Sequence, residues 1–238
     1  MAKRSLDILF ALVAIVITIP IIAIACVLIW AQDGRSPVYA GLRVGRFNRD
    51  FRMFKLRTMI PDAHRSGGPS TSASDDRLTP LGSALRRFKL DELPQFWNVL
   101  KGDMSMVGPR PNVRDGGVDR YTLEEQQLLS VRPGITDLAS IVFADEGEIL
   151  RDSADPHELY DTVIRPWKSR LALLYIRRRN VDLDLCIVVL TVVSFLSRRA
   201  ALRGVDAILE RWDASEELRQ KCARCEPLVG GKAPGQPA

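Results

Sequence analysis

Residues 8–30 read ILFALVAIVITIPIIAIACVLIW, 23 consecutive positions without a charge, 15 of them Leu, Ile, Val or Phe. At about 0.3–0.6 kcal/mol per apolar side chain, the run favours a bilayer by roughly 5–9 kcal/mol. Pro20 costs about 3 kcal/mol as an interior helix breaker, and less where its freed carbonyl finds a partner, so insertion wins. The run is too long and too uniformly apolar for a buried core helix. A cleaved signal peptide is the other bland reading, because Lys3 and Arg4 resemble its basic start and the A-I-A-C stretch ending at Cys26 resembles a lipoprotein cleavage site. Against it, Val27-Leu28-Ile29-Trp30 carries the run past that cysteine.

As a straight helix the run is about 34 Å long, enough to cross. Both flanks are basic, however: Lys3 and Arg4 before it, then Arg35, Arg43, Arg46, Arg49, Arg52, Lys55 and Arg57 after it. Positive flanks stay on the cytoplasmic side, and one crossing cannot keep both there. A helix bent at Pro20 that enters and leaves one leaflet can, so a re-entrant membrane helix is expected over residues 1–34, with the rest of the chain cytoplasmic. The net charge of +5 sits in this region. Residues 1–60 hold nine basic and three acidic side chains, whereas the remainder holds 25 and 26. A basic excess beside an apolar run points to anionic lipids of the inner leaflet or to phosphorylated substrates; the later chain lacks a basic stripe, so no nucleic acid partner is expected.

The rest reads as a globular body. With 46% hydrophobic and 26% charged residues in 238, the chain is neither disordered nor collagen-like. An Arg-rich β-hairpin is expected over 36–58, and a Gly/Pro-rich polar loop over 61–79. A helix is expected over 91–101, with Leu93, Phe96, Trp97 and Leu100 on one face, Pro94 in its first turn and Gly102 at its end. Thr122 and Glu125 form a capping box. Two helical stretches follow, 158–179 (interrupted at Pro166) and 183–197; the second is too short to span and is read as core or interfacial. The expected fold is α+β and mostly helical. Its parts are a membrane helix (1–34), a cytoplasmic catalytic domain (35–204) with interfacial helices, a C-terminal helix (205–225) and a disordered tail (226–238). Cys222 and Cys225 make a lone C-x-x-C. His64 and His157 do not complete a zinc set, so free thiols in a reducing cytosol are expected.

Two constellations can carry chemistry. Arg86-Arg87-Phe88-Lys89-Leu90-Asp91-Glu92-Leu93-Pro94 puts paired carboxylates at a helix start after an Arg pair. One carboxylate can attack while the other holds a divalent metal; plain capping is the competing reading. In Gly108-Pro109-Arg110-Pro111 two prolines fix the backbone around a guanidinium suited to phosphate. Lys55, Arg57, Arg86 and Arg110 together carry enough charge to neutralise a diphosphate, or are surface charge.

These motifs, in order, resemble the bacterial sugar transferase family, the small monotopic phosphoglycosyl transferases. The match runs from Lys3-Arg4-x-x-Asp7 and Pro20 through Arg43-Val44-Gly45, Phe54-Lys55-Leu56-Arg57-Thr58-Met59, Leu90-Asp91-Glu92-Leu93-Pro94-Gln95 and Trp97-Asn98-Val99-Leu100-Lys101-Gly102-Asp103-Met104-Ser105. It continues through Gly108-Pro109-Arg110-Pro111 to Arg132-Pro133-Gly134-Ile135-Thr136, and covers about residues 3–196. The resemblance implies transfer of a sugar-1-phosphate from a UDP-sugar to undecaprenyl phosphate at the bacterial inner membrane, with Mg²⁺. It implies Asp91 as nucleophile, Glu92 as the metal-associated carboxylate, and Arg86, Arg110 and Pro111 at the phosphate or nucleotide. The chain lacks the extra N-terminal spans of larger members and so resembles a small, single-domain one; a homo-oligomer stays open. It departs from the family at Ile19, where a Ser is common, at Phe88-Lys89, and at Asp137-Leu138-Ala139-Ser140, so no particular sugar is carried over. The competing reading is a membrane-anchored lipid-binding scaffold without catalysis.

Overall fold

The structure is a computed structural model that describes residues 2–63, 72–151, 153–225 and 233–235. The apolar run forms one helix, α1 (Ala2–Asp33), continuous through Pro20. It is the only described helix long and apolar enough to cross a membrane, which is compatible with anchoring. Its middle is bare, with Val16 71% and Ile17 66% exposed. Both of its ends dock onto the same body. At the start, Lys3 Nζ pairs with Asp184 (2.6 Å), Arg4 donates to the Val99 and Leu100 carbonyls, and the buried Asp7 carboxylate accepts from Ser105 Oγ and Met106 N–H. At the far end, Ala25 and Ile29 pack with Leu56 and Leu85, and Asp33 meets Arg57.

Strands β1 (Val38–Val44) and β2 (Asp50–Leu56) pair antiparallel, Val38 opposite Leu56 and Val44 opposite Asp50. Beyond β2, Met59 bridges Leu78, and the backbone returns at Thr79, whose N–H donates to the Thr58 carbonyl (3.0 Å). Most of the expected 61–79 loop's centre, 64–71 with His64, lies outside the described residues. Thr79 caps α2 (Pro80–Arg87) by accepting from Gly82 N–H. A Cβ at Gly82 would lie 1.9 Å from the Thr58 carbonyl oxygen, so only glycine lets α2 rest there.

The helix expected over 91–101 is shorter and turned. Leu90–Glu92 form a 3-10 turn, and α3 runs from Gln95 to Lys101, with Pro94 preceding it and Gly102 ending it at φ +92°. Its buried face is Gln95, Asn98 and Val99, while Trp97 is 56% exposed. The expected face is met in part: Phe96 and Leu100 pack against a core cluster, but Trp97 turns outward and a polar residue takes the fully inward position, Asn98. Its side chain donates to Arg52 O (2.7 Å) and accepts from Phe54 N–H (2.9 Å), tying α3 to β2.

Parallel strands β3 (Ser105–Val107) and β4 (Gly134–Thr136) follow, with Gly108 and Gly134 touching backbone to backbone. The capping box is observed, with reciprocal bonds between Thr122 and Glu125, but it opens a 3-10 helix (Glu125–Ser130). The main core lies under α4 (Leu138–Val142), α7 (Arg165–Arg178), α8 (Val181–Leu196) and α9 (Arg198–Arg211). Short helices α5 (Glu146–Ile149) and α6 (Pro156–Leu159) precede α7, with a π-helical turn (Tyr160–Ile164) before Pro166. Leu183 and Ile187 bury one side of α8, and Val189, Val192, Phe195 and Leu196 are exposed on it. The single C-terminal helix expected over 205–225 is instead two, because α9 starts at Arg198 and α10 spans Glu216–Ala223. Asp213, at φ +51°, turns the chain and Ser215 caps the second helix. Of the expected disordered tail, 226–232 and 236–238 lie outside the described residues; Pro234 O accepts from the Thr122 hydroxyl. All four cysteines are free thiols.

Candidate active site

Four segments converge on the paired carboxylates. Lys89, in the left-handed conformation at φ +57°, reverses the chain between α2 and the 3-10 turn and places Asp91 and Glu92 side by side. Strand β2 brings Lys55 against both: Nζ lies 3.2 Å from Glu92 Oε1 and 3.8 Å from Asp91 Oδ2. The loop after β3 brings Arg110, which forks onto both oxygens of Glu92 (Nη1 to Oε2, 3.1 Å; Nη2 to Oε1). That loop is fixed by Gly108 N–H donating to Thr136 O and by Gly134 N–H donating to Pro109 O (both 3.0 Å). From α2, Arg86 Nε donates to Thr58 Oγ1 (2.9 Å), close enough for its charge to act on Asp91.

The two carboxylates are treated differently. Glu92 is held on both oxygens. Burial pushes its carboxyl up, but Arg110 and Lys55 win and hold it well below the usual carboxylate range. Asp91 is only 5% exposed, and among the described residues its side chain makes a single charged contact, Lys55 at 3.8 Å. Burial raises its pKa against the pull of Lys55, Arg86 and Arg110. Burial also lowers the pKa of Lys55, with Glu92 opposing. Arg110 is raised by Glu92 and is 37% exposed along its side chain, so the guanidinium borders solvent beside a buried, under-coordinated carboxylate. A carboxylate so placed has the chemistry to act as a nucleophile or base, with cations beside it that could neutralise an anion.

The structure thus brings together Lys55, Arg86, Asp91, Glu92 and Arg110, with Pro111 next in the loop. It does not bring in Arg57. That side chain binds Asp33 and the carbonyls of Ile29 and Arg35, at the end of α1, because β2 ends at Leu56 and the chain turns away. Three further groups form a polar cluster that no local motif reveals. Glu146 on α5 pairs with Lys168 on α7, Lys168 Nζ lies 5.4 Å from the centre of the Tyr160 ring, and the charges of Glu146 and Lys168 interact with that of Arg110. Among the described residues no cluster of three acidic, His or Cys side chains could hold a metal alone.

The order of these parts along the chain is that of one family, and its model, described as bacterial sugar transferase, matches residues 1–198. The chain belongs to the bacterial sugar transferase family. It is 35% identical over 200 residues to a UDP-N-acetylgalactosamine-undecaprenyl-phosphate N-acetylgalactosaminephosphotransferase of Aeromonas hydrophila, covering 82% of this chain and 44% of the relative. It is 46% identical over 109 residues to a putative undecaprenyl-phosphate N-acetylgalactosaminyl 1-phosphate transferase of Bacillus subtilis, covering 46% of this chain and 61% of the relative. The exopolysaccharide production protein ExoY of Rhizobium meliloti is 36% identical over 156 residues, covering 59% and 69%. The chain spans less than two thirds of the length of the first two relatives.

Proposed function

We propose that the chain is a polyprenyl-phosphate sugar-1-phosphate transferase. It moves a sugar-1-phosphate from a UDP-sugar to undecaprenyl phosphate, releases UMP, and so initiates surface glycan synthesis at the cytoplasmic face of the bacterial inner membrane. The relatives' names and the family support the reaction class. The observation that carries the residue assignment is the asymmetry of the dyad, with Glu92 clamped by Lys55 and Arg110 and Asp91 buried with one contact at 3.8 Å.

Asp91 Oδ attacks the sugar-bearing phosphorus. The bond from that phosphorus to the bridging oxygen breaks, and UMP leaves with the electron pair. The phosphosugar, now esterified to Asp91, is attacked by the phosphate oxygen of the polyprenyl carrier, and the carboxylate is released. Each step joins anions, so the work is electrostatic. Arg110, Lys55 and Arg86 face the transferring group. A carboxylate offers about four acceptor positions; on Glu92 Lys55 and Arg110 occupy three. That fits a Mg²⁺ held mainly by the diphosphate and water, as this ion prefers, with Glu92 giving one bond and Asp91 beside it. Bound there, the ion would supply further charge neutralisation.

The membrane helix is read as re-entrant on two supports. Both flanks are basic, and α1 contacts the same body at Lys3–Ala11 and at Ala25–Asp33. A helix crossing the bilayer would carry one of those ends to the other side. Anionic inner-leaflet lipids then meet the basic flanks. The test of the whole reading is UMP release from a panel of UDP-sugars with Mg²⁺ and undecaprenyl phosphate. Release from at least one donor is expected, and none across a broad panel overturns it.

A further inference from the structure

One backbone carbonyl at the end of β3 gathers side chains from helices far apart in sequence. Val107 O lies 3.1 Å from Lys3 Nζ on α1 and 3.2 Å from the Tyr175 hydroxyl on α7. Both groups also meet Asp184, in the first turn of α8. Lys3 Nζ stands 2.6 Å from its Oδ2, and Tyr175 Oη stands 2.6 Å from its Oδ1. Hydrogen counting assigns the bonds. Tyr175 has one hydroxyl hydrogen, and the shorter, charge-assisted contact takes it to Asp184. The residue is buried, and burial with Asp184 beside it pushes its pKa up, so the phenol keeps that hydrogen. Ser105 Oγ, 3.0 Å from Val107 O, likewise has one hydrogen, and the Asp7 carboxylate is its charged alternative. The Lys3 ammonium has three hydrogens, so of these three donors it alone serves a carboxylate and Val107 O at once. Leu6, Phe10, Leu185 and Val188 line a narrow cleft beside the ion pair, apolar surroundings in which such bonds are stronger than in water.

We propose that Asp184 and Tyr175 are positioning residues for the transfer, acting with Lys3 on the peptide that leads into Arg110. This rests on the transferase reading above. The Val107 C=O and the Gly108 N–H are the two edges of one planar peptide. Lys3 holds the oxygen edge, and Thr136 O accepts from the nitrogen edge at 3.0 Å. Pro109 O accepts from Gly134 N–H, also at 3.0 Å, and belongs to the peptide that ends at Arg110 N. With both peptides pinned and φ fixed at Pro109, the direction in which Arg110 leaves the loop follows from where Val107 O is held. The guanidinium then meets both oxygens of Glu92. Asp184 orients the ammonium and Tyr175 orients Asp184, so neither needs to touch substrate. A misplacement of about 1 Å by a change far from the chemistry costs up to roughly a hundredfold in rate. The arrangement also makes the placement of Arg110 depend on the first turn of α1.

The experiment follows single-turnover UMP release by the full chain in lipid nanodiscs, using the best donor of the UDP-sugar panel. Asp184→Asn keeps the shape and removes the charge; Tyr175→Phe removes only the hydroxyl. Each is made in the parent and in an Arg110→Ala background. In the parent, Asp184→Asn is expected to slow the reaction by roughly tenfold or more, and Tyr175→Phe by about threefold or more. In the Arg110→Ala background both are expected to cost less than about twofold, because the group they place is gone. Lys3→Met should match Asp184→Asn, and Lys3→Arg, which keeps a cation with several hydrogens, should recover most of the rate. A merely structural role would lower melting temperatures and slow both backgrounds alike. Equal fold losses in the two backgrounds, no loss in the parent, or failure of both Asp184→Asn and Tyr175→Phe to fold would each overturn the proposal and leave a structural network. If the parent protein itself releases no UMP from any donor, the transferase reading fails instead.

Discussion

At Asp91, burial makes an ionised carboxylate costly, and three cations partly offset that cost. In the proposed role Asp91 must be ionised to attack, so the acid limb of kcat/KM against pH is expected above the ordinary Asp value of about 3.9. Lys55 lowers the Asp91 pKa, so Lys55→Met raises it further and moves the acid limb to higher pH, besides reducing kcat. A limb that stayed put would separate Lys55 from Asp91 ionisation. Asp91→Asn is expected to lower kcat by roughly a thousandfold or more while the protein stays folded and membrane-bound; retained turnover would remove the nucleophile assignment. Glu92 has the opposite sign. Its lowered folded-state pKa contributes stability that is complete above its unfolded value and is lost as pH falls through the folded one. Glu92→Gln should therefore flatten the acid side of a melting-temperature profile as well as cut kcat.

The start of helix α1 is tied to the strand that leads into the site. Asp7 accepts from Ser105 Oγ (3.0 and 2.9 Å) and from Met106 N–H (2.9 Å), and Lys3 donates to Val107 O (3.1 Å). These bonds hold β3, the strand that leads into Gly108 and Arg110. Asp7→Ala leaves the buried Met106 N–H without its acceptor and the Ser105 hydroxyl with the Val107 carbonyl alone, at a cost of about 1–3 kcal/mol. A fall in melting temperature together with a fall in kcat is expected, because β3 positions Arg110. A loss of melting temperature with kcat unchanged would limit Asp7 to stability. The hairpin topology is tested by single cysteines at Ser5 and Gln32 in a background without native cysteines. Both are expected to react with a membrane-impermeant thiol reagent only from the cytoplasmic side; opposite-side labelling would make α1 a span.

The local motifs were readable because they are contiguous. The apolar run, Asp91-Glu92, Gly108-Pro109-Arg110-Pro111 and the Thr122–Glu125 box each carry their physics within a few residues. Arg57 lies on Asp33, apart from the cluster, because the end of β2 at Leu56 decides which way it faces and no local signal marks that end. Glu146 and Lys168 were invisible because their contact joins helices 22 positions apart with no local signature. The same limit applies to the C-terminus. The family match stops at residue 198, but Ala201, Val205 and Leu209 on α9 are fully buried in the main core, and Leu218 and Cys222 on α10 are nearly so. Arg198 and Arg224 both pair with Asp145, the neighbour of Glu146. The folding unit is thus longer than the family unit. A chain ending at Ser197 exposes the core face that α9 covers and is expected to be insoluble or aggregated. A chain ending at Arg211 loses α10, including one buried Leu worth about 1.5–3 kcal/mol, and the Arg224 half of the Asp145 clamp. Its melting temperature should fall by several degrees, at roughly 2–4 °C per kcal/mol for this size. Asp91 chemistry should survive the loss. Thermal melts and steady-state kinetics on the two truncations decide this, and a fully soluble, fully stable chain ending at Ser197 would show that α9 is an appendage.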